Sequence, residues 1–356
     1  MNLRQKIGQM LVMGFQGCDL DSQSPVVQWI KEEGIGGVLL FDYDVSEKRY
    51  GKNLKNAAQI KQLTHKLKKY AQSHQEYNPT LPLFIAVDYE GGAVDRLTKI
   101  DGSMKTMKAK DQALLSDDDL YQEASRMAAT LAELGFNLNF APVIDLSLEE
   151  QDGIIGKLGR SFSAEPSEVV RAAKQFVKAF AHYGIVCAYK HFPGHGSARG
   201  DTHQGFVDVT ESYQPCELLP YQKLLNDPIS ANAMVMTAHV INNHLDSNGI
   251  PATLSYPIIT ELLRKQIGFD GVVISDDLQM QAISNHYPLA ETLRMTINAG
   301  ADMLIIANQL GSHTAHEVVD CIQSMVLAGD IMPARIDEAY HRIFRLKETE
   351  LSPLYS

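Results

Sequence analysis

Cysteine is scarce: Cys18, Cys187, Cys216 and Cys321 are spread over 356 residues, and no two form a CxxC pair. That spacing excludes a zinc-ribbon ligand set and a disulfide framework, and is the pattern of free thiols in a reducing compartment. No apolar run approaches the roughly 18–20 residues that span a bilayer. Arg4 and Lys6 precede only a short apolar stretch, without a long uncharged core or a small-x-small cleavage site. No secretory signal is therefore expected, and the expected location is cytoplasmic. Positive charge is in deficit: 32 Lys and Arg against 43 Asp and Glu give a net charge of −11. A broad cationic face for nucleic acid is not expected on that count, which leaves room only for a local patch. Neither GxGxxG nor GxxxxGK[ST] occurs, so no glycine-rich phosphate cradle is expected. Repeats, low-complexity tracts and Pro/Ser-rich linkers are absent too, which leaves residues 1–356 as one domain.

What is present is an alternation of two patterns. Short apolar runs fall at 11–15, 36–41, 83–88, 138–144, 185–191, 233–239, 272–276 and 303–307. Helical patterns follow them, most clearly at 54–71, 118–134, 167–183, 257–267, 289–299 and 316–328, and a last one at 335–348 closes the chain. Ser167 before Glu168 reads as a cap, and Pro257 and Pro288 suit a first helical turn. Gly36, Gly184 and Gly271 read as the residues that end a helix before a strand begins. Continuous apolar strands, each followed by a helix, indicate a parallel sheet buried on both faces. Eight such units predict a closed (β/α)8 TIM-type barrel, which takes ~250 residues and leaves the rest for loops. A doubly wound open sheet is the alternative, and it lacks its phosphate turn.

A barrel predicts a testable feature, because its active site gathers at the C-terminal strand ends. Asp88, Asp145, Lys190-His191, His239 and Asp276-Asp277 all stand there, and the opposite ends show no comparable set. Burying so many polar groups without a shared task would be costly. The richest stretch is KHFPGHGSARGDTH, residues 190–203, where Pro193, Gly194, Gly196 and Gly200 read as a flexible connection. Asp201 and His203 are two apart, so in an extended segment both project to one side. A carboxylate accepting from an imidazole fixes its tautomer, as a general acid/base requires. Standing alone, His195 and His203 would read as solvated loop histidines. Trp29, Met234, Met236 and Met280 read as packing residues, and Ser116–Asp119 as a solvated helix N-terminus.

Taken together, KIGQMLVMGFQG (6–17), IGGVLLF (35–41), VDYEGGAVDRL (87–97), FAPVIDL (140–146), GRSFS (159–163), KHFPGHG with DTH (190–203) and ISDDLQM (274–280) carry a resemblance. The chain resembles glycoside hydrolase family 3, in particular its single-domain exo-β-N-acetylglucosaminidases of peptidoglycan recycling. That resemblance implies Asp276 as nucleophile, His203 as acid/base and Asp201 as its partner. It implies Asp88, Arg96, Arg160, Lys190 and His191 as substrate-binding residues, and no metal or other cofactor. The implied substrate is a terminal β-linked N-acetylglucosaminide, including anionic muropeptides drawn in locally by Lys190, Arg96 and Arg160. A monomer without nucleic-acid or membrane partners is expected. The length leaves no room for the second domain many members carry. The chain departs from the family's usual pattern at Ala93, Tyr89 and Thr202, and in HQGFVDV after the dyad.

Rival readings remain open at this stage. His191 and His195, with Asp201, His203 and His239, could serve a metal-dependent hydrolase. A phosphorylase or a β-glucosidase could use the same barrel. Asp276-Asp277 could also assist a substrate acetamide acting as nucleophile.

Overall fold

The computed structural model describes residues 1–73, 81–199, 205–230 and 233–351. Eight strands form a closed parallel barrel: β1 (Leu11–Gly14), β2 (Gly37–Leu39), β3 (Phe84–Val87), β4 (Leu138–Asn139), β5 (Val186–Phe192), β6 (Met234–Thr237), β7 (Val273–Asp277) and β8 (Met303–Ile306). Each pairs with its sequence neighbours. The ring closes where β1 meets β8 through Leu11↔Leu304 and β2 through Val12↔Gly37. Every run expected to be a strand contributes one, in order, and the TIM-type barrel follows.

The helices lie outside. A short α1 (Leu3–Gln9) precedes the barrel; α2 (Pro25–Gln28, continued as a π-helical turn to Glu33), α3 (Ala57–Gln72), α4 (Asp117–Glu133), α5 (Pro166–His182), α6 (Leu219–Leu224), α7 (the π-helix Pro257–Gln266), α8 (Leu289–Ala299) and α9 (Ala315–Ala328) each follow a strand. The last helix, α10 (Pro333–Glu350), closes the barrel floor. Ser116 caps α4 by accepting from the Asp119 amide, with three aspartates in the first turn, as read from the sequence. Two details differ. The cap of α5 is Glu165 with Pro166 as first residue, so Ser167 lies inside the helix; and Pro288 stands at the cap of α8, one place earlier than expected. Gly184 ends α5 in the left-handed region at φ 68°, but Gly34 and Gly268, not Gly36 and Gly271, do so after α2 and α7.

The floor carries polar groups that the strand ends did not disclose, because helices supply them. Asp302, fully buried just before β8, accepts from Arg264 (2.5 Å) and Arg335 (2.6 Å), with Arg342 at 3.3 Å, and takes the Val273 amide of β7. Lys347 of α10 donates to Gln9 Oε1 and the Gly36 carbonyl, its ammonium 4.7 Å from the Phe84 ring. With no carboxylate beside it among the described residues, burial pushes its pKa well down. Trp29 packs half-buried against the core, as expected.

Candidate active site

At the C-terminal strand ends a cavity of about 380 Å³ opens, within the size range of small-ligand sites. Asp88, Arg96, Arg160, Lys190, His191 and Asp276, six of the expected site residues, line it together. Asp201 and His203 lie outside the described residues.

Glu90 anchors one wall. It follows β3 in a small hairpin, is buried, and receives both Arg160 Nε (2.8 Å) and Nη2 (2.7 Å). Lys190 Nζ reaches the same carboxylate at 2.7 Å and Asp88 Oδ1 at 3.1 Å. Burial alone would push the Glu90 carboxyl up; Arg160 and Lys190 outweigh it and hold the group far below the carboxylate range. The Lys190 ammonium, disfavoured by burial, is held above its ordinary value by Glu90 and Asp88. Arg96 lies between two carboxylates, 3.7 Å from Asp42 and 3.6 Å from Asp88, and its Nε is buried without a hydrogen-bond partner. Both distances exceed those of a charge-assisted hydrogen bond.

Asp145 organises the second wall. Its carboxylate accepts the His191 amide, the His195 amide and, at 2.7 Å, His191 Nδ1. Burial would raise this carboxyl, but the His191 ring beside it keeps it low, so it stays an acceptor. His191 Nδ1 therefore carries the hydrogen, which leaves Nε2 for other partners. The Lys190–His191 peptide is cis, and both residues line the cavity. His195 packs beside His191 with ring centres 5.8 Å apart; burial, and then His191, lower its pKa to about 4.

Residues 191–198 are buried, so the first half of the histidine-rich segment is not the loose connection its glycines suggested. A Cβ at Gly196 would lie 2.0 Å from the Leu146 carbonyl oxygen, so glycine here permits close packing. Glu217 takes the Gly196 and Ser197 amides, and Tyr213 donates to the Pro193 carbonyl.

The two adjacent aspartates of β7 divide their tasks. Asp276 Oδ1 accepts from the Asp277 amide at 2.7 Å, and the residue lines the cavity. Asp277 Oδ1 accepts from the Gln279 and Ala307 amides, stitching the end of β7 to that of β8. His239, fully buried, spans Thr253 Oγ1 and the Asp277 carbonyl, each at 2.9 Å. A carbonyl only accepts, so His239 Nε2 carries a hydrogen and braces the turn. Met236 and Met280, read as packing residues, are buried and also form part of the cavity wall.

Sequence reasoning passed over Glu90 and Asp42. Glu90 sits inside VDYEGGAVDR, between the predicted site residues Asp88 and Arg96, and that position was its one signal. Asp42 follows the β2 run directly, in the position occupied by the other strand-end acids. Tyr89, one of the departures noted above, is fully buried and not part of the cavity lining.

The glycosyl hydrolase family 3 N-terminal domain matches residues 2–346. A beta-hexosaminidase of Tolumonas auensis is 33% identical over 320 residues, 88% of this chain and 86% of that protein. Beta-hexosaminidase A of Pseudoalteromonas piscicida is 32% identical over 85% of this chain, which spans about half, 53%, of that longer protein. Among solved structures, a family 3 beta-N-acetylglucosaminidase from Paenibacillus sp. superposes with a TM-score of 0.85 at 30% identity, covering 98% of this chain and 63% of that one. The beta-N-acetylhexosaminidase of Beutenbergia cavernae gives 0.84 at 26% identity over 98% of this chain and 99% of that one. A barrel matched along almost its whole length, with a carboxylate-lined cavity at the expected strand ends, belongs to glycosyl hydrolase family 3 and is a glycoside hydrolase.

Proposed function

We propose that this protein is a retaining exo-β-N-acetylhexosaminidase that removes a terminal β-linked N-acetylglucosamine in two steps. In this reading Asp276 attacks the anomeric carbon, and His203, oriented by Asp201, first protonates the leaving oxygen and then activates water. The observation that carries the assignment is the division of labour at the end of β7. Both aspartates border the cavity; Asp277 Oδ1 also accepts the Gln279 and Ala307 amides of the β7–β8 junction, whereas Asp276 Oδ1 accepts the amide of the next residue in its own strand. That arrangement favours an enzyme nucleophile over an aspartate pair serving the substrate's acetamide. Asp88, Lys190, Arg160, Arg96 and His191 are the proposed sugar-binding set. Asp88 and His191 Nε2 supply acceptors or, for the imidazole, a partner for a hydroxyl; Arg96 supplies open donors. The relatives named above support the N-acetylhexosaminide preference.

The test is His203→Ala on two aryl N-acetylglucosaminides. Turnover should fall by about 10²–10⁴ with a poorly acidic phenol and far less with an activated nitrophenol. Equal losses on both would remove the acid/base assignment.

A further inference from the structure

We infer that Ser275, Gln279 and Asn308 are positioning residues, which hold a bulge in β7 that aims Asp276, and not Asp277, at the anomeric carbon. This inference rests on the reading above in which Asp276 is the nucleophile.

Six of the eight strand pairs of the barrel keep a regular register. Between β7 and β8, β7 advances three residues, from Ile274 to Asp277, while β8 advances two, from Met303 to Ile305. The surplus residue falls at Ser275–Asp276. The other shift lies between β5 and β6 and falls at Lys190 and His191, which line the same cavity. A bulge takes its extra residue out of the ladder and re-aims its side chain, and bulges gather beside active sites. Because side chains alternate along a strand, a slip of one residue would turn each of them to the opposite face. The choice between two adjacent aspartates therefore depends on keeping this bulge in place, and the ladder it interrupts cannot do so.

Side chains take over from the ladder. Ser275, fully buried, accepts the Ile305 amide on Oγ at 3.0 Å, and Asp277 Oδ1 accepts the Ala307 amide at 3.0 Å. Two amides of the β8 edge are thus bonded to side chains of β7. Just past the bulge, Gln279 clasps Asn308. Its Oε1 accepts the Asn308 amide at 2.7 Å, and its Nε2 donates to Asn308 Oδ1 at 3.1 Å. Asn308 Nδ2 donates in turn to the Gly14 carbonyl at 3.0 Å and the His313 carbonyl at 2.9 Å, which fixes the clasp to the end of β1. Asn308 is 8% exposed with φ 48°, in the left-handed region that asparagine tolerates. A residue stays there when its surroundings over-determine it, and such residues cluster at functional sites. Ser275, Gln279 and Asn308 do not line the cavity, so they act through the nucleophile and not on the sugar.

The experiment measures how fast a 5-fluoro N-acetylglucosaminyl fluoride inactivates the enzyme, beside the inhibition constant of N-acetylglucosamine. Ser275→Ala and Gln279→Ala should each slow inactivation about 10–100-fold, the cost of a small misplacement, while the inhibition constant changes less than about twofold. Ser275→Thr, which keeps the hydroxyl, should recover most of the rate. Should either alanine variant fold poorly, Asn308→Gly removes the clasp while relieving its backbone, and should show the same loss. A purely structural role would lower the melting temperature and leave the inactivation rate of the folded protein unchanged. That result, or inhibition by the sugar weakened as much as inactivation is slowed, overturns the inference and leaves the nucleophile reading intact. A parent enzyme that carries no adduct, or carries it on Asp277, overturns both.

Discussion

Glu90 illustrates how one residue sets the state of its neighbours. A single buried carboxylate receives two cations, and neither cation has another buried counter-charge as close. Replacing it with alanine leaves Arg160 without its carboxylate and Lys190 with Asp88 alone, a loss of about 3–5 kcal/mol in a thermal melt. Glu90→Gln keeps the shape and two acceptor lone pairs, so its loss should be smaller. Residue identity at the strand ends was legible: Asp88, Lys190, His191 and Asp276 were readable because polar groups closing apolar runs are costly without a common purpose. Glu90 was not, because its importance lies in pairing with Arg160 seventy positions away, and a single sequence carries no trace of such contacts. Arg160 was legible as a site residue but not as one whose guanidinium is spent mainly on Glu90.

At the scale of elements, the βα periodicity was readable because a strand buried on both faces is a continuous apolar run, and each of the eight runs became one. Ends were less legible. The cap of α5 moved from Ser167 to Glu165 because Pro166 takes the first helical position, where its fixed φ is pre-set for a helix. The glycines of residues 194–196 looked like a hinge, yet they pack against Leu146 and Glu217; glycine serves flexibility and close approach alike, and sequence does not separate them. The floor clamp was invisible, because Asp302 draws its arginines from α7 and α10. Asp302→Asn should therefore lower stability by about 3 kcal/mol or more. The kcat of this variant should stay close to the parent, since the clamp lies at the opposite end of the barrel. A parallel fall in kcat, with the protein folded, would show that floor and site are coupled.

For the whole molecule, the catalytic end also governs acid stability. His195 titrates near 6.5 when unfolded and about 4 when folded, because burial and then His191 oppose its charge. The folded state thus binds fewer protons, so this stabilisation is complete above pH 6.5 and drains as pH falls through about 4. Its size is of the order of 3 kcal/mol. Glu90 and Asp145, both held low, extend the same loss below the ordinary carboxylate range. Melting temperature recorded against pH should decline from about 6.5 downward, and His195→Phe should flatten the upper part of that slope. An unchanged slope in the variant would place the acid limb elsewhere. Nucleophilic attack by Asp276 is read out by treating the enzyme with a 5-fluoro N-acetylglucosaminyl fluoride and locating the adduct by peptide mass spectrometry. A covalent sugar on Asp276 is expected; a sugar on Asp277, or turnover of the reagent with no adduct on a fully active enzyme, would overturn the assignment.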